Sequence, residues 1–338
     1  MKQSGLFDLE FRMSKIDDNG DPLKRLNELV DWELFRPVLN QVRNKKRKSK
    51  VGRKPFDVVL MFKILILQSL YNLSDDTTEV QILDRLSFMR FLGLSIGGRV
   101  PDAKTIWLFR EELKRAGIFS ELFLEFDRFL RNHGFEAKKG QIIDASIVSV
   151  PRQRSSRKEN TKIKAGEEIT DWPTNKQRQK DIDARWTKKN SKSYFGYKNH
   201  VSVDVKYKFI RKFDVTDASV HDSRVFKELL DDENISGAVW AGSAYRSYDN
   251  LWHLGINGYR EHIQRKGYRN HPLTEREKQG NRTRARTRSR VEHIFGVQLQ
   301  RAGNLILRTV GKVRAYVKIG LRNLAYNLDS YSLLASGA

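Results

Sequence analysis

Cysteine is absent from the 338 residues, which excludes disulfides, thiolate zinc sites and cysteine nucleophiles and fits a reducing cytoplasm. Long apolar runs are missing as well. The most apolar stretch, Val58 to Leu70, is interrupted by Lys63 and Gln68. A membrane helix needs about 20 apolar residues, so this segment belongs in a protein core. Met1 to Lys15 mixes charges with isolated Leu and Phe and holds no apolar signal core. A soluble, cytoplasmic protein is the expectation. No repeat of solenoid period is visible, and His200, His221 and His293 do not show zinc spacing.

Acidic residues are the scarcest class relative to their opposites. Sixty-four Lys and Arg face 41 Asp and Glu, a formal net charge of +23. A chain this basic repels itself and calls for a polyanion, and neutralising nucleic-acid phosphates releases condensed counterions. The alternatives are an acidic membrane surface or a merely soluble basic protein. Hydrophobic residues make up 39%, near the globular norm, so a sizeable core can be buried. The length allows one large domain or two ordinary ones.

The first third reads as helices. Pro55 stands where a helix can start, and Val58, Phe62, Leu65 and Ile66 follow at helical spacing. Ser74 and Asp75 offer an N-cap, with Ile82, Leu86 and Met89 as one apolar stripe behind them. After the Gly97–Gly98 break, Asp102 caps a third helix, and Ser120 to Asn132 forms a fourth. Two short helices around a glycine turn suit a helix-turn-helix with Lys104, Arg110, Lys114 and Arg115 toward phosphate. They suit an ordinary bundle with a solvated basic face equally well.

After Gly140 the pattern changes. Gln141 to Val150 is β-branched and apolar around one acid, as in a buried strand. Residues 151–193 are polar, basic and aperiodic, a long loop or partly disordered arm. Strands are expected at Tyr194–Val205, Phe209–Thr216, Ala238–Ala241 and Gly258–Ile263, with a capped helix at Asp222–Leu230. From Thr283 helix returns. This order indicates a helical domain, residues 1–135, joined to an α/β domain, residues 136–338.

Cutting a phosphodiester with two divalent ions requires carboxylates converging from different elements. Asp144 lies inside the apolar strand, where an acid is costly unless paired, metal-bound or at a solvent edge. Glu292 shares a helix face with Arg284 and Arg288, spaced four apart, which suits a metal-and-phosphate site or a surface salt bridge. Arginine recurs at every second position from Arg282 to Arg290, so Arg284, Arg286, Arg288 and Arg290 are candidate phosphate ligands. Trp186, Tyr194, Phe195 and Tyr197 interleave with Lys188, Lys189, Lys192 and Lys198. That pattern serves stacking on unpaired bases or, more plainly, a core.

Several blocks in order resemble the insertion-sequence-five-type bacterial transposases. They are Ser69 to Gly93, Val100 to Arg110, Ile143-Asp144-Ala-Ser, Tyr194 to Val201, Val215 to Ser223, Ser243-Ala-Tyr-Arg-Ser247 and Arg290 to Gly296. The likeness runs from about residue 50 to 330. It implies a ribonuclease-H-like mixed sheet flanked by helices and preceded by an all-helical DNA-binding domain. It also implies an Asp, Asp, Glu triad holding two Mg²⁺ or Mn²⁺ ions. Asp144 matches the first Asp, Glu292 the Glu, and Arg288 the family's signature Arg, while the Lys that often follows has Leu299 near its place. His221, Asp222 and Arg246 fall in matched blocks and are expected near the site, with a cap the plainer reading of Asp222.

The second Asp is a departure. The family has Ala-Asp before the Ser-Ala-Tyr block, whereas this chain has Ala241-Gly242. The resemblance implies binding of terminal inverted repeats, strand cleavage and strand transfer by a dimer or larger assembly, with cleavage impaired by Gly242. A non-catalytic DNA-binding protein that represses or titrates transposition is the runner-up. A nuclease for RNA–DNA hybrids is a third reading, which the helical N-terminal domain argues against.

Overall fold

A computed structural model describes residues 7–43, 54–153, 155–167 and 172–337. Part of the N-terminal segment read as lacking a leader, the first residues of the family likeness and parts of the 151–193 arm therefore lie outside the described residues. The chain divides into two compact units, residues 1–126 with 321–338, and residues 127–320.

The first unit is helical. α1 (Asp8–Asp18), α2 (Pro22–Leu29) and α3 (Arg36–Leu39) lead to α4 (Val58–Tyr71), which is buried over most of its length. α4 starts after Asp57 rather than at Pro55, because the Asp57 carboxylate accepts from Val59 N at 2.9 Å and Leu60 N at 3.1 Å. No single helix among the described residues is long and apolar enough to cross a membrane. α5 (Asp75–Asp84), capped by Ser74, and α6 (Leu86–Leu92) break at Arg85, where the backbone turns extended. The expected continuous stripe through Ile82, Leu86 and Met89 is thus two helices. α7 (Ala103–Ala116) is capped by Asp102, and α8 (Phe119–Asn132) follows.

Lys104 is exposed on the first turn of α7. Two of its basic neighbours do not face phosphate. Arg110 is buried with its guanidinium 2.6 Å from Asp75, and Lys114 pairs with Glu111 at 2.6 Å. Those cations neutralise internal acids.

The second unit is built on a six-stranded mixed sheet: β1 (Gln141–Ser149), β2 (Arg185–Lys189), β3 (Lys192–Asp204), β4 (Ile210–Asp217), β5 (Ala238–Ala241) and β6 (Arg260–Ile263). β1 runs antiparallel to β3 and parallel to β5, and β5 runs parallel to β6. β3 is long enough for β2 and β4 to pair in tandem along its other edge. Helices flank this sheet, giving the ribonuclease-H-like α/β fold. Alternation along β1 puts Ile143 and Val148 on opposite faces. Ile143 packs with Phe226, Val239, Leu254 and Ile263, and Val148 with Tyr197, Val215, Leu307 and Ile319.

The aperiodic 151–193 arm contains order that its composition hides. It forms α9 (Arg157–Ala165), opened by a Ser156–Glu159 capping box, α10 (Thr174–Gln179) and β2. The helix expected at Asp222–Leu230 is instead a 3-10 turn, Asp222–Arg224, followed by irregular turns. A side chain from elsewhere takes one of its carbonyls, Asn250 donating to Ser223 O at 3.0 Å, and Lys198 donates to Val220 O just before it at 2.7 Å.

α11 (Tyr248–Ile256) precedes β6. α12 (Glu275–Ala302) begins eight residues before the expected Thr283, because Thr274 and Glu277 form a capping box. α13 (Lys312–Ala335) closes the chain. Its last turns belong to the helical unit, where Tyr331 meets Phe126 edge-on at 6.2 Å. A single division into residues 1–135 and 136–338 therefore does not describe the compact units.

Candidate active site

The site residues of the α/β unit come from three elements. Asp144 sits mid-strand on β1, at the register where β3 contributes Val201. On the other side β5 runs parallel, with Ile143 beside Ala241. Gly242 follows Ala241 where β5 ends, as Asp144 follows Ile143 on β1, so the two positions succeed the last residue pair of this register. α12 packs against β1 and β5 and buries Val291 and Ile294 completely, worth about 1.5–3 kcal/mol each. That burial fixes the rotation of α12. With those two residues inward, Arg288 and Glu292, four apart, line the adjacent face.

Arg288 bridges two carboxylates. One guanidinium nitrogen lies 2.5 Å from Asp144 Oδ2 and the other 2.9 Å from Glu292 Oε1. Asp144 Oδ1 accepts from Ala145 N at 2.8 Å. Burial pushes the Asp144 carboxyl up from the ordinary carboxylate range, against the lowering pull of Arg288 and, more weakly, Lys189. The Glu292 side chain is 62% exposed.

Gly242 has ordinary extended backbone angles, φ −69° and ψ 163°, and a Cβ built on it meets nothing within 4 Å. A side chain there needs no rearrangement. Its carbonyl, the one oxygen glycine offers, already accepts from Tyr245 N at 3.0 Å. Position 242 thus supplies no free donor toward Asp144. Among the described residues no group of three or more acidic or histidine side chains is placed to hold a metal ion. With both acids turned onto Arg288, this donor set does not fit a two-ion site.

The other candidates divide. Asp222 lies close enough to raise the Asp144 pKa by its charge, but its carboxylate is held by Lys198 at 2.8 Å. Lys198 is accordingly an internal cation rather than a phosphate ligand. Asp249 points elsewhere, to Lys227 at 2.7 Å. His221 caps the 3-10 turn, bonding Ser223 Oγ at 2.8 Å, and Arg246 pairs with Glu261 at 2.5 Å. Arg286 is exposed on α12, Arg284 is half-buried, and Arg290 donates to Val205 O at 2.9 Å. Lys188, Lys189 and Lys192 stand exposed at the β2–β3 turn.

Two further buried polar residues, Tyr245 near Asp144 and His200 opposite Ala145, received no role from sequence reasoning. Tyr245 is buried, its hydroxyl has no hydrogen-bond partner among the described residues, and burial with the nearby Asp144 charge pushes its pKa far up. His200 is fully buried, its Nε2 2.9 Å from Thr216 Oγ1, and burial pushes it down to about 4. The available signal for His200 was its place in the Tyr194 to Val201 block. Tyr245 could be found only through the Ser-Ala-Tyr block.

Comparison with known proteins adds family to geometry. Residues 11–112 match the family described as Transposase domain (DUF772), and residues 136–328, more than half of the chain, match Transposase DDE domain. Among solved structures, the chain is similar to a cryo-EM structure of the piggyBac transposase synaptic complex with hairpin DNA. That likeness has 13% identity and a TM-score of 0.44, covering 94% of this chain and 76% of the other.

Proposed function

The chain belongs to the DDE transposase family, and on that premise we propose that it serves a bacterial insertion sequence of the five type, bound to DNA but impaired in cleavage. The family is one of polynucleotidyl transferases acting on DNA and implies dependence on a divalent metal. In this reading the helical unit recognises the element's terminal inverted repeats, with Lys104 on the first turn of α7 toward phosphate. The α/β unit contributes Asp144 and Glu292 as the acids of the cleavage site, and position 242 as the place of the missing third. Mg²⁺ or Mn²⁺ is the proposed metal, two ions being expected of an intact site. The working form is a dimer or larger assembly on DNA in the cytoplasm.

One observation carries the reading. Ile143 pairs with Ala241, the last residue of β5; the residue after it is a glycine whose added Cβ would meet nothing within 4 Å, which supports reading position 242 as the neighbour of Asp144. Losing one carboxylate from such a set costs several kcal/mol of transition-state stabilisation, and each ~1.4 kcal/mol is tenfold in rate. Arg288 also occupies both remaining acids, which favours the second reading, a DNA-binding protein that represses or titrates active copies.

The test is metal-dependent cleavage of DNA carrying the ends that flank this chain's own gene. The protein as it stands is compared with Gly242→Asp, and Gly242→Asp/Asp144→Ala is the inactive control. Cleavage by Gly242→Asp alone, at least a hundredfold above the parent, supports the assignment. Equal cleavage by the parent refutes it and turns attention to Asp222. DNA binding without cleavage by either leaves the repressor reading standing.

A further inference from the structure

The arm between β1 and β2 encloses a cavity of about 580 Å³ that the cleavage site does not use. This is within the range of about 300–1,000 Å³ typical of ligand pockets. Three aromatic rings line it, Trp172, Trp186 and Phe195, together with Lys164, Lys180 and Arg185. We propose that this cavity receives an unpaired base of the DNA strand, stacked on Trp186, with the exposed Arg152 and Lys164 toward its phosphates. The proposal rests on the DNA-handling reading above.

The walls are fixed before any ligand arrives. Trp172 is buried, its indole nitrogen donating to Glu159 at 2.9 Å, with Lys176 4.7 Å from the ring centre. Arg185 donates to Ile163 O at 3.0 Å. Phe195 pairs directly with Trp186 across the β2–β3 ladder, ring centres 5.2 Å apart. Tyr197, from the same aromatic run, is core instead, its hydroxyl donating to buried Asp181 at 2.7 Å. Trp186 is different, with 47% of its surface exposed beside Arg152, whose guanidinium lies 5.8 Å from the ring centre. A half-exposed tryptophan on a β-ribbon, with Arg152 against its ring, suits a flat aromatic guest with a phosphate attached. Every base has a π-face, so such a platform is tolerant of sequence.

Position ties the cavity to the cleavage site. Val150 N donates to Phe195 O at 3.0 Å, so Phe195 is level with Val150. Six residues of strand separate Val150 from Asp144, at most about 20 Å, or about six nucleotides along a duplex strand at 3.4 Å each. The same hairpin brings Lys189, three residues beyond Trp186, near enough for its charge to act on Asp144. One strand can therefore pass both places.

Two hairpin probes test this, one a fully paired duplex, the other carrying a single unpaired 2-aminopurine within six nucleotides of its end. The intact chain is expected to quench the 2-aminopurine and to bind that probe more tightly than the paired one. Trp186→Ala should remove the quenching and lower affinity for the unpaired probe by about five- to 150-fold, the range of single-base stacking, with paired-duplex affinity unchanged. Trp186→Phe should retain most of the preference, and unchanged far-ultraviolet dichroism shows that both variants fold. Equal affinity of the intact chain for the two probes, or quenching that survives Trp186→Ala, overturns the proposal. The two readings fail separately. If the intact chain binds both probes equally, the pocket is refuted while the cleavage comparison with Gly242→Asp still decides the site; a chain that binds neither probe refutes both.

Discussion

Arg288 ties together the two acids of the candidate site. Its planar fork matches carboxylates, and it holds a buried acid of β1 together with an exposed one on its own helix. The two contacts differ in value. The Glu292 pair lies in solvent and contributes a few tenths of a kcal/mol. The Asp144 pair offsets the burial that pushes that carboxyl up, and removing one member leaves an uncompensated charge. Arg288→Met should therefore destabilise the chain by about 1–3 kcal/mol at neutral pH, read as a fall in the urea midpoint at constant slope. Asp144→Asn in the same background should recover most of that loss, while Glu292→Gln should recover little. An unchanged midpoint for Arg288→Met would mean that the bridge adds nothing to stability. Asp144 could be suspected from sequence, since an acid inside an apolar strand needs a partner. Which cation that partner is could not be read, because 144 residues separate the two.

Helices and strands with strong periodicity were legible: α4, α7, α8 and β1 stand where their apolar patterns put them. Misreadings occurred where a distant side chain took a local backbone group, as Asn250 does after Asp222, or where one extended residue, Arg85, split an unbroken stripe. The arm was opaque because its polar composition offers no period, although its capping box was present in the sequence at Ser156 and Glu159. Strand register was the least legible feature, and it rests partly on glycine. Gly196 lies where β3 crosses β1, with φ +155°, and a Cβ there would meet Val148 O at 2.2 Å. Gly196→Ala must push two strands apart and should cost about 2–5 kcal/mol. Gly242→Ala, with open space and negative φ, should stay within about 1 kcal/mol of the parent. Thermal melts of the two variants side by side check the contrast. A mild Gly196→Ala would mean that β1 and β3 can part at this crossing at little cost, and that the β1–β3 register does not depend on glycine there.

At the scale of the molecule, the net charge of +23 is not spread evenly between inside and outside. Many acids are spent internally, as where Arg131 and Arg211 share Asp127, Arg211 also reaches Asp204, and Arg110 holds Asp75. Such pairs are neutral to a passing polyanion, so the excess is carried by exposed cations, among them Lys188, Lys189 and Lys192 at the β2–β3 turn and Arg286 on α12. Counterion release then makes a quantitative demand. The logarithm of DNA affinity should fall linearly with the logarithm of salt concentration, with a slope of about −0.9 for each phosphate neutralised. Replacing the three hairpin lysines together by Gln should reduce that slope by up to about 2.7. Lys278→Gln, whose cation is already paired with Glu275 at 2.7 Å, should leave it unchanged. Fluorescence anisotropy across a salt series gives both slopes. A triple variant with the parent's slope would take the β2–β3 hairpin off the DNA, and a comparable loss from Lys278→Gln would show that binding follows total charge rather than its placement.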